Sequence, residues 1–122
     1  MAFDLVQYFA EQIHLQKPEL LNQYDPSERK SHLLEINTLS LGKLITLWRT
    51  DENKLYQEIQ SQDQLYVVDI ARHLTTSDQN HSKLSKPEFE HTMTEVLSLQ
   101  LAELKQLDDT GNYGIKGLRE LI

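Results

Sequence analysis

The sequence contains no cysteine, and it has only three prolines and four glycines among its 122 residues. Without cysteine the chain has no disulfide, no thiolate nucleophile and no cysteine ligand for zinc. The scarcity of proline and glycine, together with abundant leucine and comparatively few β-branched residues, favours helix over strand. No stretch approaches the roughly 18 uninterrupted apolar residues of a membrane span. The N-terminus lacks the basic segment and apolar run of a signal peptide, and we therefore expect a cytoplasmic protein with no membrane contact.

Basic residues are also in short supply, because 12 Lys and Arg stand against 19 Asp and Glu and leave a formal charge of −7. An acidic surface repels phosphate backbones and attracts basic proteins. The same balance can serve solubility alone, which is the commoner reason for it. Nucleic acid is therefore a disfavoured partner, and a basic protein is a candidate one.

The strongest helical pattern covers residues 85–107. Ser85 and Glu88 have the spacing of a capping box, and Pro87 suits the first turn of a helix. Seven residues recur at three- and four-residue steps and so share one helical face: Phe89, Met93, Val96, Leu97, Gln100, Leu104 and Leu107. The pattern predicts a helix of about six turns that forms the central rib of a bundle and ends near residue 108.

Residues 3–16 predict a first helix. Its predicted core face consists of Val6, Phe9, Ala10 and Ile13. The helix should end before Pro18, because the residue preceding a proline disfavours the α region. Pro18 then predicts a short helix over residues 19–24.

Asp25, Pro26 and Glu28 together predict the start of the next helix. The polar residues 37–40 favour a break into two helices, since Ser, Thr and Asn compete for backbone hydrogen bonds. The apolar residues on either side stay in phase, so one continuous helix is the alternative.

Thr50 or Asp51 should cap a further helix that continues to residue 73 or 74. Residues 60–63 could instead form a turn within it. Residues 65–70 are β-branched enough to resemble a strand, but one isolated strand would have no partner, so we expect helix. The polar residues 75–84 predict a mobile loop, and residues 109–122 a flexible tail. The sequence as a whole predicts an all-α fold, a single-domain irregular bundle of five to six helices over residues 1–122.

Two Glu-x-x-His pairs, Glu11 with His14 and Glu88 with His91, have the spacing that four-helix di-iron proteins use. Such sites need inward-pointing ligands. At roughly 100° per residue, Glu11 and His91 point nearly opposite the apolar faces of their helices. The metal-dependent helical enzyme is therefore an alternative only. No nucleophile elbow or glycine-rich phosphate loop occurs, and we expect neither catalysis nor a cofactor.

Residues 40–59 allow a helix-turn-helix, which would make the protein a transcriptional regulator. Its basic residues, Lys43, Arg49 and Lys54, are outnumbered by acids over the whole chain. There is no basic stripe with interleaved aromatics. DNA binding is thus a further alternative.

Several apolar residues lie off the main helical faces, which indicates enclosure on two sides or a partner surface. Among them Leu65 and Val68 form a second stripe, and Trp48 and Tyr66 are natural anchors if they reach the surface. The leading hypothesis is a non-enzymatic protein-binding domain, of the inhibitor, immunity or antitoxin type, that neutralises a basic partner. An adaptor or a self-associating regulator, which would form a homo-oligomer, fits nearly as well.

Overall fold

The structure, a computed structural model, describes residues 5–78, 80 and 82–111. Five α-helices follow one another in this part of the chain: α1 (Leu5–Gln16), α2 (Pro26–Thr50), α3 (Glu52–Ser61), α4 (Gln64–Thr75) and α5 (Lys86–Gly111). No strand occurs among these residues, so the predicted all-α bundle is confirmed. None of the described helices combines the length and the apolarity needed to cross a bilayer. The predicted tail lies outside the described residues from residue 112 onward.

Helix α5 is the central element, because it packs against each of the other four helices. Six of the seven residues of its predicted core face are buried, and Leu107 is half-buried. The helix continues beyond its predicted end to Gly111. Asp108 lies within this last turn, where its carboxylate accepts hydrogen bonds from Tyr56 and Gln60 of α3. These hydrogen bonds between helices stabilise the last turn of α5, although its polar residues predict that the helix ends there.

The segment after α1 is a series of turns, so the predicted short helix over residues 19–24 is wrong. Leu21 adopts a left-handed conformation with φ of 55°, which interrupts any helix. The burial of Leu20 and Leu21 offsets the cost of that conformation. Arg29 of α2 secures the turns by donating to the carbonyl oxygens of Leu20 at 2.7 Å and Lys17 at 3.2 Å. The turns therefore close the connection between α1 and α2.

Helix α2 is continuous, so the predicted break at residues 37–40 is wrong. Asn37 and Ser40 are buried, and their side chains find partners inside the bundle. Asn37 Nδ2 donates to the carbonyl oxygen of Val6 at 3.1 Å, and Ser40 Oγ accepts from Gln100 Nε2 at 2.8 Å. These side chains could otherwise compete for the backbone hydrogen bonds of α2, but here they form hydrogen bonds with α1 and α5.

A turn at Gln62 and Asp63 divides the segment predicted as one helix up to residue 74, so that prediction is wrong. The turn falls within the alternative turn at residues 60–63, whose first two residues remain in α3. Gln62 ends α3 in a left-handed conformation with φ of 57°. Asp63 then caps α4, and residues 65–70 are helical as predicted.

Aspartates begin three of the helices, as the side-chain oxygen accepts a backbone N–H of the first turn. The three bonds run to Asp25 from Glu28 at 2.9 Å, to Asp51 from Lys54 at 3.1 Å and to Asp63 from Leu65 at 2.9 Å. The predicted caps at Asp25 and Asp51 are confirmed.

Candidate functional site

Three of the four residues predicted to contact a partner lie on α4. Leu65 is 75% exposed, whereas Tyr66 and Val68 are half-buried. Trp48 of α2 is only 5% exposed and belongs to the core. The anchor role of Trp48 depended on its reaching the surface, and that condition is not met. The remaining candidate contact residues therefore all lie on α4.

Helices α3 and α4 meet at a corner that is built around a lysine. Lys54 Nζ lies 2.9 Å from Glu58 Oε1, one turn further along α3. The same nitrogen lies 5.9 Å from the centre of the Tyr66 ring on α4, within the range of a cation–π contact. Asp51 and Asp63, the caps of α3 and α4, complete what we call the α3–α4 corner. It consists of Asp51, Lys54, Glu58, Asp63 and Tyr66.

The two charged side chains at the centre of the corner differ in their burial. Glu58 is buried, and its Oε2 atom has no hydrogen-bond partner among the described residues. The Lys54 side chain is 55% exposed. The carboxylate is thus a fixed part of the protein interior, while its cation can move into solvent.

The electrostatics of the corner favour a positive charge. The hydrogen bond to Glu58 and the charge of that residue raise the pKa of Lys54, and Asp63 adds to the effect. Burial raises the pKa of Tyr66 first, followed by the charge of Glu58, and Asp51 contributes in the same direction. The negative potential thus stabilises the charged form of the lysine, whereas burial, and then that potential, stabilise the neutral form of the tyrosine.

A second arrangement recurs three times along α5, where a carboxylate accepts hydrogen bonds from a tyrosine hydroxyl and a glutamine amide of another segment. The sets are Glu88 with Tyr24 and Gln23, Glu103 with Tyr8 and Gln16, and Asp108 with Tyr56 and Gln60. The hydroxyl-to-carboxylate distances are 2.7, 2.8 and 2.8 Å. These sets fasten the first turn segment, α1 and α3 to α5, so we interpret them as structural.

Each of these tyrosines keeps its proton more strongly than an exposed tyrosine. Burial, and then the hydrogen bond to Glu103, raise the pKa of Tyr8 to about 12. The hydrogen bond to Glu88 is the main cause that raises the pKa of Tyr24, and the bond to Asp108 does the same for Tyr56. A neutral hydroxyl is needed in each case, because only the protonated oxygen can donate to a carboxylate.

The candidate metal ligands do not converge. Glu11, His14 and His91 are exposed, and Glu88 is engaged by Tyr24 and Gln23. Within the described ranges, no group of three or more His, Asp or Glu side chains could hold a metal ion. The inward orientation that a di-iron site requires is therefore missing from both Glu-x-x-His pairs.

A cleft of about 430 Å³ lies between the turns after α1 and the first half of α5. Its polar lining consists of Glu19, Gln23, Glu88, His91, Thr92 and Glu95. Two of its carboxylates already have partners, since Glu95 pairs with Lys17 at 3.0 Å and Glu88 accepts from Tyr24. The cleft therefore offers no evident ligand geometry.

The region predicted as a possible helix-turn-helix has a different geometry. Asp51 alone joins α2 to α3, whereas the motif uses a turn of about three to four residues. Lys54 faces Glu58 within the α3–α4 corner.

Comparison of the chain with models of known protein families, with curated proteins and with solved structures gave no match. Any functional conclusion must therefore come from the surface itself.

Proposed function

We propose that this chain is a non-enzymatic cytosolic protein-binding domain that engages a basic protein, as an inhibitor, an immunity protein or an antitoxin does. The observation that carries the proposal is the outward face of α4, where a strongly exposed leucine lies with Asp63 and Asp69, and with Arg72, whose charge is paired with Glu90. The net charge of −7 supplies the long-range attraction for a basic partner.

The outward face of α4 follows from its helical spacing. Leu65, Val68 and Asp69 are three and four residues apart, so they share one side of the helix. Leu65 is 75% exposed, Val68 is half-buried and Asp69 is exposed. Asp63 lies at the start of the same helix. An apolar centre with a charged rim is the usual layout of a protein interface, in which the centre carries the affinity and the rim guides association.

The proposal is tested by capture from a lysate of the native host with tagged variants. Leu65→Ser removes the apolar centre, and Leu15→Ser is the matched control, because Leu15 of α1 is 70% exposed at another place on the surface. We expect the wild type and Leu15→Ser to retain one stoichiometric basic protein that is released as salt rises. Leu65→Ser should lose it, since truncating an interface centre costs about 2 kcal/mol or more.

Two results would contradict the proposal. One is equal capture by Leu65→Ser and Leu15→Ser, which would remove α4 as the interface. The other is an eluate with the bait alone, combined with a sedimentation profile that shows a homo-oligomer. In that case the exposed leucine would serve self-association.

A further inference from the structure

Three polar side-chain atoms of the described residues are buried without a hydrogen-bond partner: Trp48 Nε1, Glu58 Oε2 and Gln100 Oε1. Only Glu58 carries a charge, and a buried carboxylate oxygen without a donor is costly. Native proteins satisfy nearly all such groups, so an unsatisfied one calls for an explanation. The position of Glu58 in the α3–α4 corner, beside the exposed side chain of Lys54, offers an explanation for the unsatisfied oxygen.

The corner contains the groups that bind a cationic side chain. Glu58 supplies a fixed carboxylate, and Tyr66 supplies a half-buried ring on the opposite element. Asp51 and Asp63 are held in place by their capping bonds and add negative charge. Carboxylates paired with an aromatic face are a common receptor for guanidinium and ammonium groups.

We propose that the α3–α4 corner is a receptor for one arginine side chain of a protein partner, and that Lys54 occupies this receptor in the free protein. Arginine fits better than lysine, because a planar guanidinium can donate to both carboxylate oxygens while it stacks on an aromatic ring. Once Lys54 has left, the guanidinium would supply the donor that Glu58 Oε2 lacks among the described residues. This inference rests on the proposed function and names the side chain that the partner contributes.

Lys54 competes with the incoming arginine, but only weakly. Breaking the Lys54–Glu58 ion pair costs little because Lys54 is exposed, and we expect the presence of Lys54 to weaken arginine binding about two- to fivefold. Lys54 can leave the corner by side-chain rotation, because more than half of its side chain is exposed.

The test uses a probe of defined composition, a blocked glycine–arginine–glycine tripeptide, followed by nitrogen–proton correlation spectra of the labelled protein. Lys54→Met keeps the apolar stem and removes the competing charge. We expect Lys54→Met to bind the tripeptide about two- to fivefold more tightly than the wild type, with shifts confined to α3 and α4. Adding Glu58→Gln to Lys54→Met should weaken binding roughly tenfold, because the receiving charge is lost while the shape is kept.

Two controls make the result specific. Lys17→Met removes a cation from the Lys17–Glu95 pair elsewhere on the surface and should bind the tripeptide as the wild type does. A tripeptide with citrulline in place of arginine keeps the planar group without the charge, and it should give no shifts. Thermal melting of each variant establishes that it is folded, and Tyr66→Leu in the Lys54→Met background replaces Glu58→Gln if that variant unfolds.

Equal binding by Lys54→Met and by the variant that also carries Glu58→Gln would overturn the proposal, as would the absence of any gain on removing Lys54. The tripeptide requires no native partner, so the two proposals can fail separately. Tripeptide binding without capture of a basic protein would leave the receptor standing and remove the proposed function. Capture that depends on Leu65, without tripeptide binding at the corner, would support the proposed function and remove the arginine receptor.

Discussion

Near the middle of α5, the buried side chain of Gln100 donates to Asn37 Oδ1 at 2.9 Å and to Ser40 Oγ at 2.8 Å. Asn37 in turn donates to the carbonyl oxygen of Val6, so that α1, α2 and α5 share one polar contact inside an apolar core. Such bonds contribute modestly when formed, but each leaves an expensive buried group when broken. The contact therefore opposes any sliding of the three helices along one another.

Replacing Asn37 with Ala should lower the free energy of unfolding by about 1–3 kcal/mol, because the Gln100 amide then loses an acceptor inside the core. The matched control is Thr38→Ala, one residue along α2 at an exposed position, which should change stability by about 0.5 kcal/mol or less. Urea unfolding measures both values. Similar stability of the two variants would show that the buried contact does not form in solution.

The sequence predicted those helix boundaries that depend on hydrogen bonds between residues close together in the chain. The Asp25 and Asp51 caps involve side chains and backbone groups three residues apart, so their sequence context was sufficient. The continuity of α2 depends on Gln100, which is 60 or more residues from its partners. No periodicity in residues 37–40 could reveal that partner.

Within the α3–α4 corner, only the contact between residues close together in the chain could be predicted from the sequence. Lys54 and Glu58 lie at the spacing of an i, i+4 ion pair, which the sequence alone displays. The burial of Glu58 and the approach of Tyr66 depend on the turn at Gln62, which brings α4 beside α3. Trp48 illustrates the opposite error, because an aromatic residue on an apolar stripe looks the same in sequence whether it is a core residue or a surface anchor.

Gln62 lies at the turn between α3 and α4, where a substitution can test the contribution of the backbone conformation. Its backbone is left-handed, and its side chain donates to the Leu101 carbonyl oxygen of α5 at 3.1 Å. Gln62→Val should lower the free energy of unfolding by about 2 kcal/mol, since a β-branched residue is strained there and the bond is lost.

Gln62→Gly is the matched variant, because glycine loses the same bond but accepts the backbone without strain. We expect it to lie within about 1 kcal/mol of the wild type in urea unfolding. If glycine and valine destabilise equally, the left-handed turn is not what holds the two helices.

Across the bundle, three of the carboxylates of α5, those of Glu88, Glu103 and Asp108, accept hydrogen bonds from neutral hydroxyl and amide groups of other segments. This arrangement holds the bundle together without neutralising its negative charge, which remains available to attract a basic partner. It also ties stability to the protonation of tyrosine. A tyrosine that loses its proton can no longer donate, and it places a second negative charge beside the carboxylate.

We therefore expect the protein to lose stability in alkaline solution over a defined range. The pKa of Tyr8 rises from its ordinary value of 10 to about 12 in the folded protein. Below pH 10 both states keep this proton, and the stabilisation is complete. Between pH 10 and about 12 the unfolded chain releases the proton while the folded protein retains it, so rising pH favours unfolding.

Urea unfolding at successive pH values should show this loss in the wild type and a shallower dependence in Tyr8→Phe, which removes one late-titrating group. The absorbance of tyrosinate provides an independent readout, because the late-ionising fraction should decrease in the same variant. Tyr8→Phe also loses the bond to Glu103 and should be less stable at neutral pH by about 1.5–3 kcal/mol. An unchanged alkaline slope would mean that Tyr8 ionises like an exposed tyrosine, and the Tyr8–Glu103 bond would then not contribute to fastening α1 to α5.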